Sequence, residues 1–155
     1  MTIEEKVVKL LIERKMSVTT AESCTGGLLA GTILNVSGAS AIYNEGHITY
    51  SNDAKERILG VNHETLVAYG AVSKQTAVEM AKGAAQVAGA DVSLSTTGIA
   101  GPGGGTPEKP VGLVYIGCYI RGETFVKELR LGGSREENRN QTVKEALQML
   151  YEVLI

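Results

Sequence analysis

The sequence predicts a single α/β domain, a layered sandwich in which helices cover a mixed β-sheet. Three observations predict it. Segments with helical apolar spacing interleave with short extended runs, the alternation that builds parallel strands. Two extended runs, residues 111–120 and 124–131, then adjoin across Arg121-Gly122-Glu123, which reads as a hairpin. The 155 residues suit one domain with a sizeable core, and no linker, repeat or low-complexity tract divides residues 1–155.

Taken in order, Thr2 and Glu5 form a capping-box pattern. Ile3, Val7, Leu10 and Leu11 then recur at helical spacing, so a first helix runs to about Lys15. Residues 17–21 are rich in Val and Thr and read as a buried strand. A helix is expected over 26–36, with Gly27, Ala30 and Gly31 making a small-residue side for close packing. Residues 41–50 read as a strand that Ser51-Asn-Asp53 stops. Asp53 with Glu56 is a capping-box candidate for a short helix to about Leu59, and 63–69 is another short helix. Ser73 caps a longer one, with Ala77, Met80, Ala81, Ala84 and Val87 on a common face. Residues 91–97 form a strand feeding a glycine-rich segment. After the hairpin, Ser134 with Glu137 caps a final helix whose apolar stripe is Val143, Leu147, Leu150 and Leu154.

Composition narrows the function. Net charge is −2 with a pI of about 5.7, so a nucleic-acid or anionic-membrane surface is not indicated. Six Tyr, one Phe and no Trp also weaken a base-stacking reading. Cys24 and Cys118 make no disulfide framework, which fits a reducing, cytoplasmic compartment. The N-terminus, Met-Thr-Ile-Glu-Glu-Lys, lacks the apolar stretch of a signal peptide, and no apolar run is long enough to span a membrane.

Familiar nucleotide and metal motifs fail. Thr97-Gly-Ile-Ala-Gly-Pro-Gly-Gly-Gly-Thr106 holds five of the 19 glycines, but it leads into a strand rather than the helix a P-loop or dinucleotide fingerprint needs. Pro102, Pro107 and Pro110 stiffen it, against the alternative of a flexible surface loop. His47 and His63 are the only histidines, and neither has metal-ligand spacing. No Gly-x-Ser-x-Gly elbow occurs either.

What remains is Thr20-Ala-Glu-Ser-Cys-Thr-Gly-Gly27, which sets a hydroxyl and a thiol where a strand turns into a helix. Helix N-termini offer unpaired amides, so Thr25, Gly26 and Gly27 are the expected donors to an oxyanion formed at Ser23. The alternative is that Ser23 only caps a helix, and Cys24 is a competing nucleophile or a buried core thiol. With histidine scarce, lysine is the natural base once burial and a helix N-terminus lower its pKa. Lys55 is so placed, unless it is a solvated surface lysine. Tyr50 ends the preceding strand, from where its hydroxyl relays a proton or orients the amine, or else packs as an edge aromatic. Arg135 and Arg139, one turn apart on the last helix, suit a phosphate, or they balance Glu136 and Glu137 in solvent.

These blocks together resemble one family. Ala21-Glu-Ser-Cys-Thr-Gly-Gly27, Thr49-Tyr-Ser-Asn-Asp-Ala-Lys55, Gly70-Ala-Val-Ser73, the glycine segment 97–106, Lys109-Pro-Val-Gly-Leu-Val-Tyr115 and Gly133-Ser-Arg-Glu-Glu-Asn-Arg139 occur in order over nearly the whole chain. They are similar to the CinA C-terminal-domain family, the nicotinamide-mononucleotide amidohydrolases, in the form without a molybdopterin-binding-like N-terminal domain. The resemblance implies hydrolysis of the carboxamide of nicotinamide mononucleotide to nicotinate mononucleotide and ammonia. It implies Ser23 as nucleophile, assisted by Lys55 and Tyr50. Thr97, Gly98 and Arg135 would line the pocket, and no metal or organic cofactor is implied. Gly101, further along the glycine segment, is a substrate-binding candidate because glycine lets backbone approach a ribose or phosphate closely. Glu45-Gly46-His47 stands where members commonly carry paired glycines, a departure that bears on packing or a dimer contact. A homo-oligomer such as a dimer is expected, from small-residue helices and an exposed sheet edge. The competing function is a non-catalytic nucleotide-binding or regulatory module using the same pocket.

Overall fold

The computed structural model describes all 155 residues, Met1–Ile155. Its elements are α1 (Ile3–Arg14), β1 (Val18–Glu22), α2 (Leu28–Leu34), β2 (His47–Ile48), α3 (Asn52–Leu59), α4 (His63–Tyr69), α5 (Lys74–Ala88), β3 (Val92–Gly98), β4 (Leu113–Ile120), β5 (Glu123–Arg130) and α6 (Arg135–Leu154). The capping boxes expected at Thr2/Glu5 and Ser134/Glu137 both form, because each needs only residues three apart. The hairpin turns through Arg121 and Gly122, both at positive φ (44° and 94°), as a two-residue turn between twisted strands requires.

The strands form one mixed sheet in the order β2-β1-β3-β4-β5. β2, β1 and β3 are parallel, and β4 and β5 extend the sheet antiparallel. On one face α1, α2 and α6 pack into an apolar core of 22 residues that includes Leu11, Leu29, Ile33, Leu147 and Leu150. The other face is covered by α3, α4 and α5 over a cluster of only six. Hydroxyl groups do more of the holding there. Ser93, Ser95 and Thr97 alternate along β3 and donate to the carbonyls of Ala81, Ala77 (2.6 Å) and Ala71 (2.8 Å). α5 comes this close because its inner face is Ala77, Ala81 and Ala84, and because Gly117 lies opposite. A Cβ at 117 would stand 2.7 Å from the Ala77 carbonyl oxygen.

Four local expectations differ from the structure. The strand read over 41–50 reduces to His47–Ile48, preceded by a 3-10 turn at Ala39–Ala41. The segment bridges β1 at Val18↔Tyr43 and pairs again at Ala21↔His47. It spends four residues where β1 spends three, so the intervening backbone bulges out. There Thr19 donates to the Glu45 carbonyl (2.7 Å), and Gly46 is wedged beneath the Tyr43 hydroxyl. The cap of α3 is Ser51, whose Oγ accepts from the Ala54 amide at 3.0 Å, rather than Asp53. The small residues of α2 are not its buried face: Gly31 is exposed, Gly27 and Ala30 are half-buried, and Leu29 and Ile33 are what the helix buries. Val87 also points outward, 53% exposed, while Gly83 and Ala85 complete the buried face of α5.

The three parallel strands end at one edge. Chain leaving β1 carries Ser23, chain leaving β2 leads to Lys55, and chain leaving β3 is the glycine loop. Ligand crevices of parallel sheets open outside the carboxyl ends of their strands.

Candidate active site

Ser23 follows β1 directly. Its amide donates to the Thr96 carbonyl (3.0 Å), which extends the ladder by one residue and fixes where the side chain starts. The next residues turn back at once, with Gly26 donating to the Ser23 carbonyl at 3.2 Å. Gly26 and Gly27 stand at φ 54° and 105°, conformations that side chains rarely adopt. The pair of glycines is therefore a requirement of this turn.

Lys55 reaches Ser23 from α3. It is 1% exposed, among the largest side chains to be fully buried. Its Nζ donates to the carbonyls of Thr49 (2.9 Å) and Tyr50 (3.0 Å) and lies 3.0 Å from Ser23 Oγ. Carbonyls only accept, so two of the amine's N–H bonds are committed to them. A neutral amine then has a lone pair for its third neighbour, and Ser23 is the one neighbour with a proton to give. The hydroxyl's other acceptor, the Tyr50 carbonyl, is 3.4 Å away, a long contact for O–H···O. Burial brings the Lys55 pKa from 10.5 down to about 8, with a partial counter-effect from Cys24. Roughly a tenth of the amine is thus neutral at pH 7.

These groups open on a cavity of about 280 Å³, lined by Ser23, Cys24, Tyr50, Lys55, Ala71, Val72, residues 97–101, Gly103, Gly104 and Arg135. Of the expected site residues, the cavity thus gathers Ser23, Lys55, Tyr50, Thr97, Gly98, Gly101 and Arg135. Thr97 contributes mostly backbone, because its hydroxyl is held by Ala71. Arg135 donates to the Gly101 carbonyl (2.8 Å) and stands 3.4 Å from the Tyr50 hydroxyl. The loop is tied on both flanks. Asn138, buried on α6, donates to the Ala100 carbonyl (3.0 Å), and Lys109 donates to the carbonyl of Tyr69 at the end of α4. Its amides at Ala100, Gly101, Gly103 and Gly104 have no acceptor within the chain.

Three expectations are corrected. Tyr50 orients Lys55 through its carbonyl, and its side chain is 64% exposed with the hydroxyl toward Arg135. Thr25, Gly26 and Gly27 do not line the cavity, and the α2 amides are taken. Glu22, 1% exposed, turns its carboxylate onto the amides of Gly27 (3.2 Å), Leu29 (2.9 Å) and Ala30 (3.0 Å) and onto the Thr25 hydroxyl. Gly26's amide is spent on Ser23, which leaves Cys24 and Thr25 as the amides of the turn that donate to no other residue of the chain. Arg139 also stays out of the cavity, its guanidinium bound to the carbonyls of Cys24 (2.9 Å) and Thr25 (3.1 Å). Cys24 is buried, and burial pushes its thiol up to about 11, so it is a thiol and not a thiolate near neutral pH.

Glu22 is the residue that sequence reasoning missed. The usable signal is an acid ending a strand just before a helix whose N-cap is glycine, a position with no side-chain acceptor of its own.

The CinA C-terminal domain model matches residues 1–154. A CinA-like protein of Kosmotoga olearia is 55% identical over 154 residues, which cover 99% of this chain and 37% of that protein. The chain thus spans little more than a third of the length of this curated relative. Among solved structures, the competence/damage inducible protein CihA of Agrobacterium tumefaciens is 47% identical with a TM-score of 0.93, covering 98% of this chain and 94% of that one. A competence-damaged protein (CinA) superfamily protein of Klebsiella pneumoniae is 38% identical with a TM-score of 0.95, covering 98% and 95%.

Proposed function

The chain belongs to the CinA C-terminal domain family, and from that premise we propose that it hydrolyses the carboxamide of nicotinamide mononucleotide, with Ser23 as nucleophile and Lys55 as base. One observation carries the reading: a fully buried amine 3.0 Å from a serine hydroxyl, with its other two neighbours both carbonyls. The pKa of about 8 supports it, because a base works best when its pKa lies near the working pH.

In this reading Lys55 takes the Ser23 proton as Oγ bonds to the carboxamide carbon. The carbonyl oxygen becomes an oxyanion, for which the free amides of the turn and glycine loop are available donors. The ammonium of Lys55 protonates the departing nitrogen, ammonia leaves, and Ser23 holds the acyl group as an ester. Water then gives a proton to the same amine and its oxygen to the ester carbon, which releases the carboxylate and restores the hydroxyl. Arg135, on the cavity wall, is the cation suited to the substrate phosphate, with the Tyr50 ring beside it.

Ammonia release from nicotinamide mononucleotide tests this, with the phosphate-free nucleoside for comparison. Wild type is expected to prefer the nucleotide, while Ser23→Ala and Lys55→Ala each lose turnover and keep the fold. Full activity in either variant removes the mechanism. Tight calorimetric binding of the nucleotide without product makes the chain a nucleotide-binding module instead.

A further inference from the structure

We propose that Arg139 is a positioning residue for the oxyanion site, fixing the turn 23–26 so that the free Cys24 amide on the cavity wall is presented to the reacting carbonyl. The inference rests on the acyl-transfer reading above. Arg139 comes from the second turn of α6 and puts two arms of one planar fork on two consecutive carbonyls, Cys24 and Thr25. Gly26 holds the Ser23 carbonyl. Three peptide planes in a row are therefore pinned by their oxygens. In a trans peptide the N–H points opposite to the C=O, so Arg139 sets the Thr25 and Gly26 amides directly, and Gly26, through its bond to the Ser23 carbonyl, sets the Cys24 amide. The Cys24 and Thr25 amides donate to no other residue of the chain, and Cys24 lines the cavity beside Ser23.

The charge matters as well as the geometry. Arg139 takes part in none of the ion pairs of the molecule, so no carboxylate is in direct contact with its guanidinium. On the other side of the turn sits the buried Glu22 carboxylate, whose field opposes any negative charge forming at Ser23. Position 24 feels both: the guanidinium lowers the pKa of the Cys24 thiol, and Glu22 raises it. A cation on a carbonyl also polarises that peptide, which makes its N–H a stronger donor. An aliphatic side chain at 139 would still pack α6 against the turn but would hold neither carbonyl and carry no charge.

Kinetics on nicotinamide mononucleotide for Arg139→Met and Arg139→Lys separate positioning from tethering. Removing one oxyanion donor typically lowers kcat by about 10²–10³-fold. Arg139→Met is expected to fall by roughly 10²-fold in kcat with KM within about twofold of wild type. Arg139→Lys should fall in between, since an ammonium keeps the charge without the fork. The proposal is overturned by an unchanged kcat in Arg139→Met, or by a loss that appears in KM alone. If wild type releases no ammonia, the function above fails and positioning is judged by ¹H–¹⁵N spectra of Arg139→Lys. Displaced Cys24 and Thr25 amide resonances then support it, and unchanged ones overturn it. The same spectra decide the matter if Arg139→Met does not fold.

Discussion

The two helical layers hold the same sheet by different means. Against α1, α2 and α6 the sheet presents Val18, Leu94, Ile116 and Cys118, and large aliphatic side chains interdigitate with them. Against α3, α4 and α5 it presents Ser93, Ser95 and Thr97, with Gly117 admitting the helix to hydrogen-bonding distance. Apolar burial is non-directional, so the first layer tolerates small shifts. Hydroxyl-to-carbonyl bonds set register, so the second layer is located. Lys55 belongs to that second layer, where a buried amine finds carbonyls to satisfy it.

The largest expected effect is on chemistry. Lys55→Ala should lower kcat for ammonia release by about 10⁴-fold or more while circular dichroism stays that of wild type. Retained turnover would mean that the polar layer holds no base. On the apolar side, Leu147→Ala should destabilise by about 2–5 kcal/mol in urea unfolding, since Leu147 is fully buried in the larger core. Across the sheet, Gly117→Ala adds only a methyl group, yet should cost about 1–3 kcal/mol, because backbone at Ala77 must give way. A cost near zero would show the hydroxyl layer to be as tolerant as the other.

Next comes pH. Below about 8, kcat/KM should fall about tenfold per unit, because Lys55 then carries the proton it must accept. A flat profile from pH 6 to 9 excludes this amine as base. Stability moves in the same sense. Burial lowers the folded pKa beneath 10.5, so the unfolded chain binds more protons between about 8 and 10.5, and folding gains as pH rises through that window. The smallest effect is at Ser95→Ala, about 1 kcal/mol for one neutral hydrogen bond. A loss as large as that at Leu147 would erase the distinction between the layers.

What the sequence made legible follows the same division. Both capping boxes, the α6 stripe and the hairpin are readable because their determinants lie within a few residues. The mixed sheet follows from element order. Ser23 and Lys55 stand out since histidine is scarce and a lysine early in a helix is locally unfavourable. Arg139 and Glu22 were not readable in their present roles. Arg139 acts on carbonyls more than 110 residues away in the chain. Glu22 skips the adjacent turn to cap a helix, and its one local sign, an acid ending a strand ahead of a helix with a glycine N-cap, shows only once the helix start is placed at Leu28. The 41–50 segment misled because its residues give no local sign of the extra residue that makes the backbone bulge between Tyr43 and His47. Tyr50 misled for a simpler reason: a residue has a backbone as well as a side chain, and here its carbonyl is what touches the lysine.

The glycine loop is stitched to α6 by Asn138 and Arg135 and to the end of α4 by Lys109, and those helices lie on opposite sides of the sheet. A molecule seated against it would therefore act as a rivet through both layers. Hydrogen exchange should slow together at the start of α6 and the end of α4, and the two sides should melt as one unit at a higher temperature than in the empty protein.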